Sequence, residues 1–238
     1  MKMFKIIAIH QPDLFSYYGF FDKIYKCDEL IFLDHVQISK KGWTNRDRIK
    51  TKNGIRWFVV PLQKGLSSRI NDIYITSDLK WKSSFLNLIY ENYKNSKFFN
   101  EIYGFVEECF LINEEKLIDF NLKILNKIFI KLSIKKKIYL SSQLNPDGYK
   151  NLMLINLIKN TNGDVYLSGT GAKAYIDENI FLSHNLKVLW NTFSSPVYEQ
   201  LHGKFEKDLS ILDVLFNCGF EYVKNCLDNN YKSFYDKK

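Results

Sequence analysis

The feature that most constrains this fold is the opening of the chain. Lys5 to Ile9 is a short β-branched run that stops at His10-Gln11-Pro12. Such a run reads as a buried strand, and the proline turns its end into a loop. Tyr18 to Tyr25 then carries apolar residues at helical spacing, and Leu30-Ile31-Phe32-Leu33 is a second apolar run ending at Asp34 and His35. Strand, helix and strand in this order make a β-α-β unit with loops at the strand ends. In an open parallel sheet ligands sit beyond the carboxyl ends of the strands. His10, Gln11, Asp34 and His35 are therefore expected near one crevice.

Later segments extend the pattern. Trp57 to Pro61 reads as a strand behind the turn Lys52-Asn53-Gly54, and Ile70 to Ile75 alternates like a further short strand. From Trp81 to about Leu132 apolar residues recur at spacings near three and four, which predicts a helical layer. Ile138 to Ser142 resumes strand character, Leu152 to Ile158 is a helix before the Asn162-Gly163 turn, and Val165-Tyr166-Leu167 is a strand entering Ser168-Gly169-Thr170-Gly171-Ala172. Leu186 to Leu189 gives a last strand, a loop follows at Phe193 to Pro196, and a terminal helix starts at Ser210. The expected fold is α/β, a mostly parallel Rossmann-like sheet with a helical layer from the middle of the chain. One domain is expected over residues 1–238, with residues 81–132 as the helical block and residues 231–238 as a polar, frayed tail. With 46% apolar and 16% aromatic residues, the chain has the composition of a folded domain and not of a disordered one.

Several function classes fall away. Cys27, Cys109, Cys218 and Cys226 form no CxxC pair and no dense framework, which argues against a zinc site and a secreted disulfide scaffold. His35, His184 and His202 have no metal-ligand spacing, so no metal is expected. Lys5 to Ile9 is too short for the apolar region of a signal peptide, and no apolar run reaches the roughly 20 residues of a membrane span. A cytoplasmic protein is expected. The net charge of +8 comes largely from lysines scattered along helices. Scattered lysine is the pattern of a solvated surface, and with no known nucleic-acid module visible that partner ranks last.

Three clusters can carry chemistry. His10, followed by Gln11, stands at a strand end as a general acid or base, a neutral donor to phosphate, or a loop cap. The polar run from Gln37 to Lys50 contains Trp43, Asn45, Arg46 and Arg48. Arg46 and Arg48 lie two apart, so an extended backbone sends both to one face, where guanidinium forks suit a diphosphate and Trp43 can stack on a sugar or base. A solvated basic loop is the alternative. Ser168, Gly169 and Gly171 permit close backbone approach or an anion-binding nest, or simply make a tight turn; the GxxxxGK[ST] spacing of a P-loop is absent. Tyr198 and Gln200 are candidates for a pocket edge, and Ser210 to Asp213 reads as a helix start.

The order of strand, proline-bearing loop, glycine and helix is similar to nucleotidylyltransferases with an HxGH motif, where the histidines meet phosphate at a helix start. Here Tyr17 and Phe20 stand in their places, which sets that reaction aside. A closer resemblance covers nearly the whole chain. Ile9-His10-Gln11-Pro12, Tyr18-Gly19-Phe20-Phe21, Asp34-His35-Val36-Gln37, Gly42 to Ile49, Tyr166 to Ala172, Pro196 to Gln200 and Leu209 to Asn217 resemble, in the same order, the WbqC-like family. The resemblance implies an association with O-antigen and other surface-glycan gene clusters, and a role in attaching glycine or another acyl group to a sugar. Asp47 departs from the family pattern, which more often has Asn there, and leaves the paired arginines intact. The expected activity is therefore acyl or aminoacyl transfer to an amino sugar carried as a nucleotide sugar, with His10 as base and Gln11, Asp34, Gln37, Trp43, Asn45, Arg46, Arg48, Ser168, Gly169, Gly171, Tyr198 and Gln200 as substrate contacts. The residues identify no cofactor. The alternative is a non-catalytic nucleotide- or glycan-binding partner of a glycosyltransferase, since no recognised nucleophile, triad or phosphate loop is visible.

Overall fold

The computed structural model describes residues 4–39, 42–63 and 68–236, so Lys40 and Lys41 of the basic run and the last two residues of the expected tail lie outside it. The chain opens with β1 (Ile6–His10), α1 (Tyr18–Lys26) and β2 (Glu29–Phe32), the expected β-α-β unit. A hairpin follows, β3 (Arg46–Thr51) and β4 (Gly54–Val59), and then three helices, α2 (Lys80–Tyr93), α3 (Phe99–Phe110) and α4 (Leu117–Lys131). The chain returns through β5 (Lys137–Leu140), α5 (Ser141–Leu144), α6 (Asn151–Asn160), β6 (Val165–Gly169), α7 (Glu178–Ser183), β7 (Lys187–Asn191) and α8 (Ile211–Tyr235).

Five strands pair in parallel in the order β5-β2-β1-β6-β7. The order reverses between β1 and β6, so the switch point where open α/β sheets hold ligands lies between His10 and Gly169. Both faces of the sheet are covered, which is why its strands read as continuous apolar runs without polar alternation. Ile6, Ala8, Leu30, Phe32, Val165 and Leu167 join the core that includes Phe21 and Ile24 of α1, Phe129 of α4 and Val223 of α8. Ile7, Ile9, Ile31 and Tyr166 pack on the opposite side with Leu157 and Ile158 of α6 and Phe181 of α7. Each of the Val, Leu, Ile and Phe side chains stabilises the fold by about 1.5–3 kcal/mol relative to exposure.

Gly163 shows how tightly this second face is packed. A Cβ there would stand 2.3 Å from Ile7 Cγ1 and 2.9 Å from Ile158 Cγ2. Gly163→Ala is expected to cost about 1–3 kcal/mol by overpacking, measured as a lower denaturant midpoint. A loss under about 0.5 kcal/mol, the size of an ordinary surface change, would mean that the turn yields.

Some expected elements differ. The Trp57 to Pro61 strand is the end of β4, which pairs antiparallel with β3 in a separate two-stranded sheet and does not enter the parallel one. Ile70 to Ile75 is no strand: Ile70–Asp72 is a single 3-10 turn, and its alternation reflects isolated bridges at Tyr74 and Ile75. Ser141 and Ser142 open α5 and do not extend β5. The segment expected to fray from residue 231 is helical to Tyr235, whose hydroxyl donates to the Lys26 carbonyl at 3.0 Å.

Candidate functional site

The loop after β1 is built on local polar geometry. His10 Nδ1 lies 2.9 Å from the Gln11 carbonyl, and a carbonyl only accepts, so Nδ1 carries the proton and Nε2 the lone pair. Phe20 meets the ring edge-on at a centroid distance of 4.9 Å. Burial, reinforced by the Lys23 ammonium, lowers the His10 pKa well below its usual value, against the Gln11 hydrogen bond. The imidazole is thus neutral at neutral pH. Asp13 Oδ2 stands 3.5 Å from Nδ1. Burial raises the Asp13 carboxyl to about 7, against the Thr44 hydroxyl and the Lys23 charge. The Thr44 hydroxyl is 3.2 Å from both Asp13 Oδ1 and Gln11 Oε1. Lys23 reaches up from α1 to donate to the Ile9 carbonyl at 3.2 Å.

The hairpin is fastened beside this loop. The Leu14 amide donates to the Trp43 carbonyl at 3.1 Å, and Asn121 of α4 donates to the Pro12 and Thr44 carbonyls, both at 2.7 Å. On β3 the period-two spacing sends Arg46 and Arg48 to one face, as their sequence positions predict. There Arg46 stacks on Trp57 at 4.5 Å, Arg48 on Trp43 at 5.3 Å, and the two indoles are 4.9 Å apart. Arg46 Nε donates to the Gly42 carbonyl at 3.0 Å, while Arg48 donates to the carbonyls of Asp208 and Lys207. Among the described residues neither arginine forms a close ion pair with a carboxylate, although the Arg48 charge acts on buried Asp47. Lys207 and Asp208 also line a small cavity with Tyr17, Pro196, Tyr198 and Phe205.

Other candidates hold the frame together. Asn45 is buried and exchanges hydrogen bonds with the Val60 backbone, Nδ2 to carbonyl at 3.2 Å and amide to carbonyl at 2.7 Å. Asp34 is buried at the end of β2, accepting from the Ser141 hydroxyl and the Ser142 amide, both at 2.8 Å, and from the Ser142 hydroxyl at 2.5 Å. His35 Nδ1 is 2.5 Å from the same Ser141 hydroxyl. This is not an activated serine: the hydroxyl proton goes to Asp34, its lone pairs receive the Asp34 amide and His35, and Ser141 is fully buried. Gln37 is exposed and pairs through its backbone with Arg69. The hydroxyl of Tyr198 donates to Asp213 at 2.8 Å. Gln200 bridges Lys50 Nζ, the Tyr198 hydroxyl and the Glu206 backbone.

Ser168 is buried at the carboxyl end of β6. Gly169 and Gly171 have neither a left-handed φ nor any atom within 4 Å of an added Cβ. Their lack of side chains therefore relieves no crowding, and Gly171 is exposed in the turn after β6. Among the described residues no group of three or more His, Cys, Asp or Glu is placed to hold a metal ion. No helix there is long and apolar enough to cross a membrane.

Residues 11–225, which carry the hairpin, the serine-anchored Asp34, the glycine turn and the Tyr198–Asp213 network, match the model of the WbqC-like protein family. The chain belongs to the WbqC-like family. Uncharacterized protein Rv1507c of Mycobacterium tuberculosis (strain ATCC 25618 / H37Rv) is 33% identical over 229 residues, covering 93% of this chain and 99% of its own. No solved structure matches the chain significantly. In this WbqC-like protein, sequence reasoning gave no role to Asp13 and Thr44, which lie within the candidate loop and polar run, or to Lys23 and Trp57. Asp13 follows His10 by three residues in one loop, and Arg48 faces Trp57 in the β3–β4 register; either spacing could have brought them in. Thr44 stood in the singled-out polar run, and Lys23 had no such signal.

Proposed function

We propose that this WbqC-like protein is a transferase that attaches an acyl or aminoacyl group, glycyl being the smallest aminoacyl, to the amine of a nucleotide-linked amino sugar in surface-polysaccharide biosynthesis. The observation that carries the proposal is the neutral His10, its Nδ1 proton held by Gln11 and its Nε2 left as a proton acceptor, at the switch point of a parallel sheet. The unpaired Arg46 and Arg48 on their indole platform support a diphosphate beside it. Gly169 and Gly171, where an added Cβ would meet nothing within 4 Å, leave room for a second reactant.

In this scheme the sugar amine attacks the carbonyl carbon of an activated acyl donor, forming a C–N bond as the bond to the leaving group breaks. His10 Nε2 takes a proton from the amine and returns it to the leaving group. The lowered pKa of His10 keeps Nε2 unprotonated at neutral pH but makes it a weak base, so the step requires the imidazolium to be stabilised as it forms. The paired arginines hold the distal diphosphate and fix the amine relative to His10, which is the contribution of orientation.

A thermal-shift series tests the reading. A nucleotide amino sugar at a hundred times its Kd should stabilise the protein by about 2.7 kcal/mol. Arg46→Ala should abolish that shift, whereas His10→Gln should keep it and lose roughly 10²–10⁴-fold in turnover with an activated acyl donor. Equal shifts in Arg46→Ala and wild type would remove the diphosphate assignment. Binding with no product from any activated acyl donor would replace the transferase by a nucleotide- or glycan-binding partner of a glycosyltransferase.

A further inference from the structure

We infer that Asp13 is the positioning residue of His10, a buried carboxylate that keeps the ring in the Nδ1–H form and stabilises the charge that appears when Nε2 takes a proton. The inference rests on the proposed role of His10 as a base. Its geometry is that of an oriented imidazole: Nδ1 faces the Gln11 carbonyl at 2.9 Å and Asp13 Oδ2 at 3.5 Å, so both acceptors sit on the nitrogen that does not react. Free histidine has no such bias, and a carboxylate behind the ring is a recurrent way of fixing tautomer and stabilising imidazolium.

The carboxylate is itself held in place. Asp13 is only 5% exposed, and Thr44, fixed by Asn121 through its carbonyl, presents its hydroxyl to Oδ1 at 3.2 Å. The charged and titratable groups around it come from three elements. Lys23 of α1 favours its ionised form, whereas Asp47 of β3 and Tyr17 of the loop disfavour a neighbouring negative charge. Cys27, after α1, also acts on Lys23, against the effect of burial. Lys23 Nζ has a hydrogen bond to the Ile9 carbonyl, which places its charge under the strand that carries His10. Lys23 thus acts electrostatically on both Asp13 and His10.

The test is 15N NMR of the histidine rings in the full chain, which has four histidines, with His10 assigned by its absence in His10→Gln. In wild type the ring should show a protonated Nδ1 and an unprotonated Nε2 at neutral pH. Its shifts should carry a small step centred near 7, the midpoint of Asp13, without the full change of ring protonation. Asp13→Asn should erase that step and populate the Nε2–H form. Thr44→Val, which removes only the hydroxyl behind Asp13, should move the step's midpoint and keep the fold, so a misfolded Asp13→Asn would not end the test. A wild-type ring in the Nε2–H form, or ring shifts and pH dependence unchanged in Asp13→Asn and Thr44→Val, would overturn the inference. Failure of the transferase reading looks different: the ring behaves as described, yet His10→Gln turns over nucleotide amino sugar as fast as wild type.

Discussion

Asp22→Ala is expected to lower the stability of the fold by about 3–5 kcal/mol, the cost of leaving a buried charge without its partner. Asp22 and Lys26 lie one helical turn apart on α1 and are almost completely buried, with Lys26 Nζ 2.6 Å from Asp22 Oδ2. Asn191, at the end of β7, donates to the same oxygen at 2.9 Å, and Asn230 of α8 donates to Oδ1 at 2.9 Å. One carboxylate therefore joins the first crossover helix, the edge strand and the terminal helix. Lys26 also has the Asn191 side chain and the Thr192 carbonyl, both weaker acceptors at 3.3 and 3.2 Å. Equilibrium urea unfolding measures the loss, and the m-value should stay constant if the native state remains compact. Asp22→Ala combined with Lys26→Met should recover much of it, because the double variant strands no charge. A single variant within about 1 kcal/mol of wild type, the value of an exposed pair, would show that water reaches Lys26.

The same pair shows where the sequence stops being informative. An Asp and a Lys at i and i+4 on a helix look like a solvated surface pair, and the sequence alone gives no reason to think otherwise. The burial comes from α8, whose contacts lie 208 and 209 residues later in the chain and which closes over α1. The β-α-β opening and the helical layer were legible because each is a local periodicity, period two or continuous in the strands and near three and four in α2 to α4. The face shared by Arg46 and Arg48 was legible for the same reason. Asp34 was legible as a strand-end carboxylate, yet its partners Ser141 and Ser142 stand at the start of α5, just after β5, and leave it tying the end of β2 to that turn. Tyr198 and Gln200 were legible as a polar pair beyond the last strand, but Asp213 and Lys50 occupy their polar atoms. Local pattern gave the elements and the strand-end histidine. Which polar side chains remained free was decided by long-range packing.

Asp47→Asn is expected to stabilise the protein by an amount that grows as pH rises. Asp47 is fully buried on β3 between the two arginines, its side chain on the face opposite theirs. Oδ1 accepts from the Arg48 amide at 2.7 Å, but Oδ2 has no well-formed hydrogen bond. Burial pushes its carboxyl well above the usual value, helped by the nearby Asp13, while the Arg48 amide, the Ser210 hydroxyl and the Arg48 charge act against it. A carboxyl whose pKa is raised on folding contributes stability that is complete below the unfolded value of 3.8 and is lost as pH climbs toward the folded value. Asparagine fills the same volume, keeps the acceptor for the Arg48 amide and carries no charge to desolvate. The wild-type profile alone does not isolate this effect, because two neighbours oppose each other. Asp13, raised to about 7, makes the fold less stable as pH rises from 3.8, whereas His10, lowered by burial, makes it more stable as pH rises toward 6.5. The difference between wild type and Asp47→Asn removes both to first order. Urea midpoints from pH 4 to 9 should therefore coincide at the acid end and separate above it, with the variant the more stable. A gap that is constant with pH would mean that Asp47 titrates normally in the folded protein and that the unpaired oxygen is solvated.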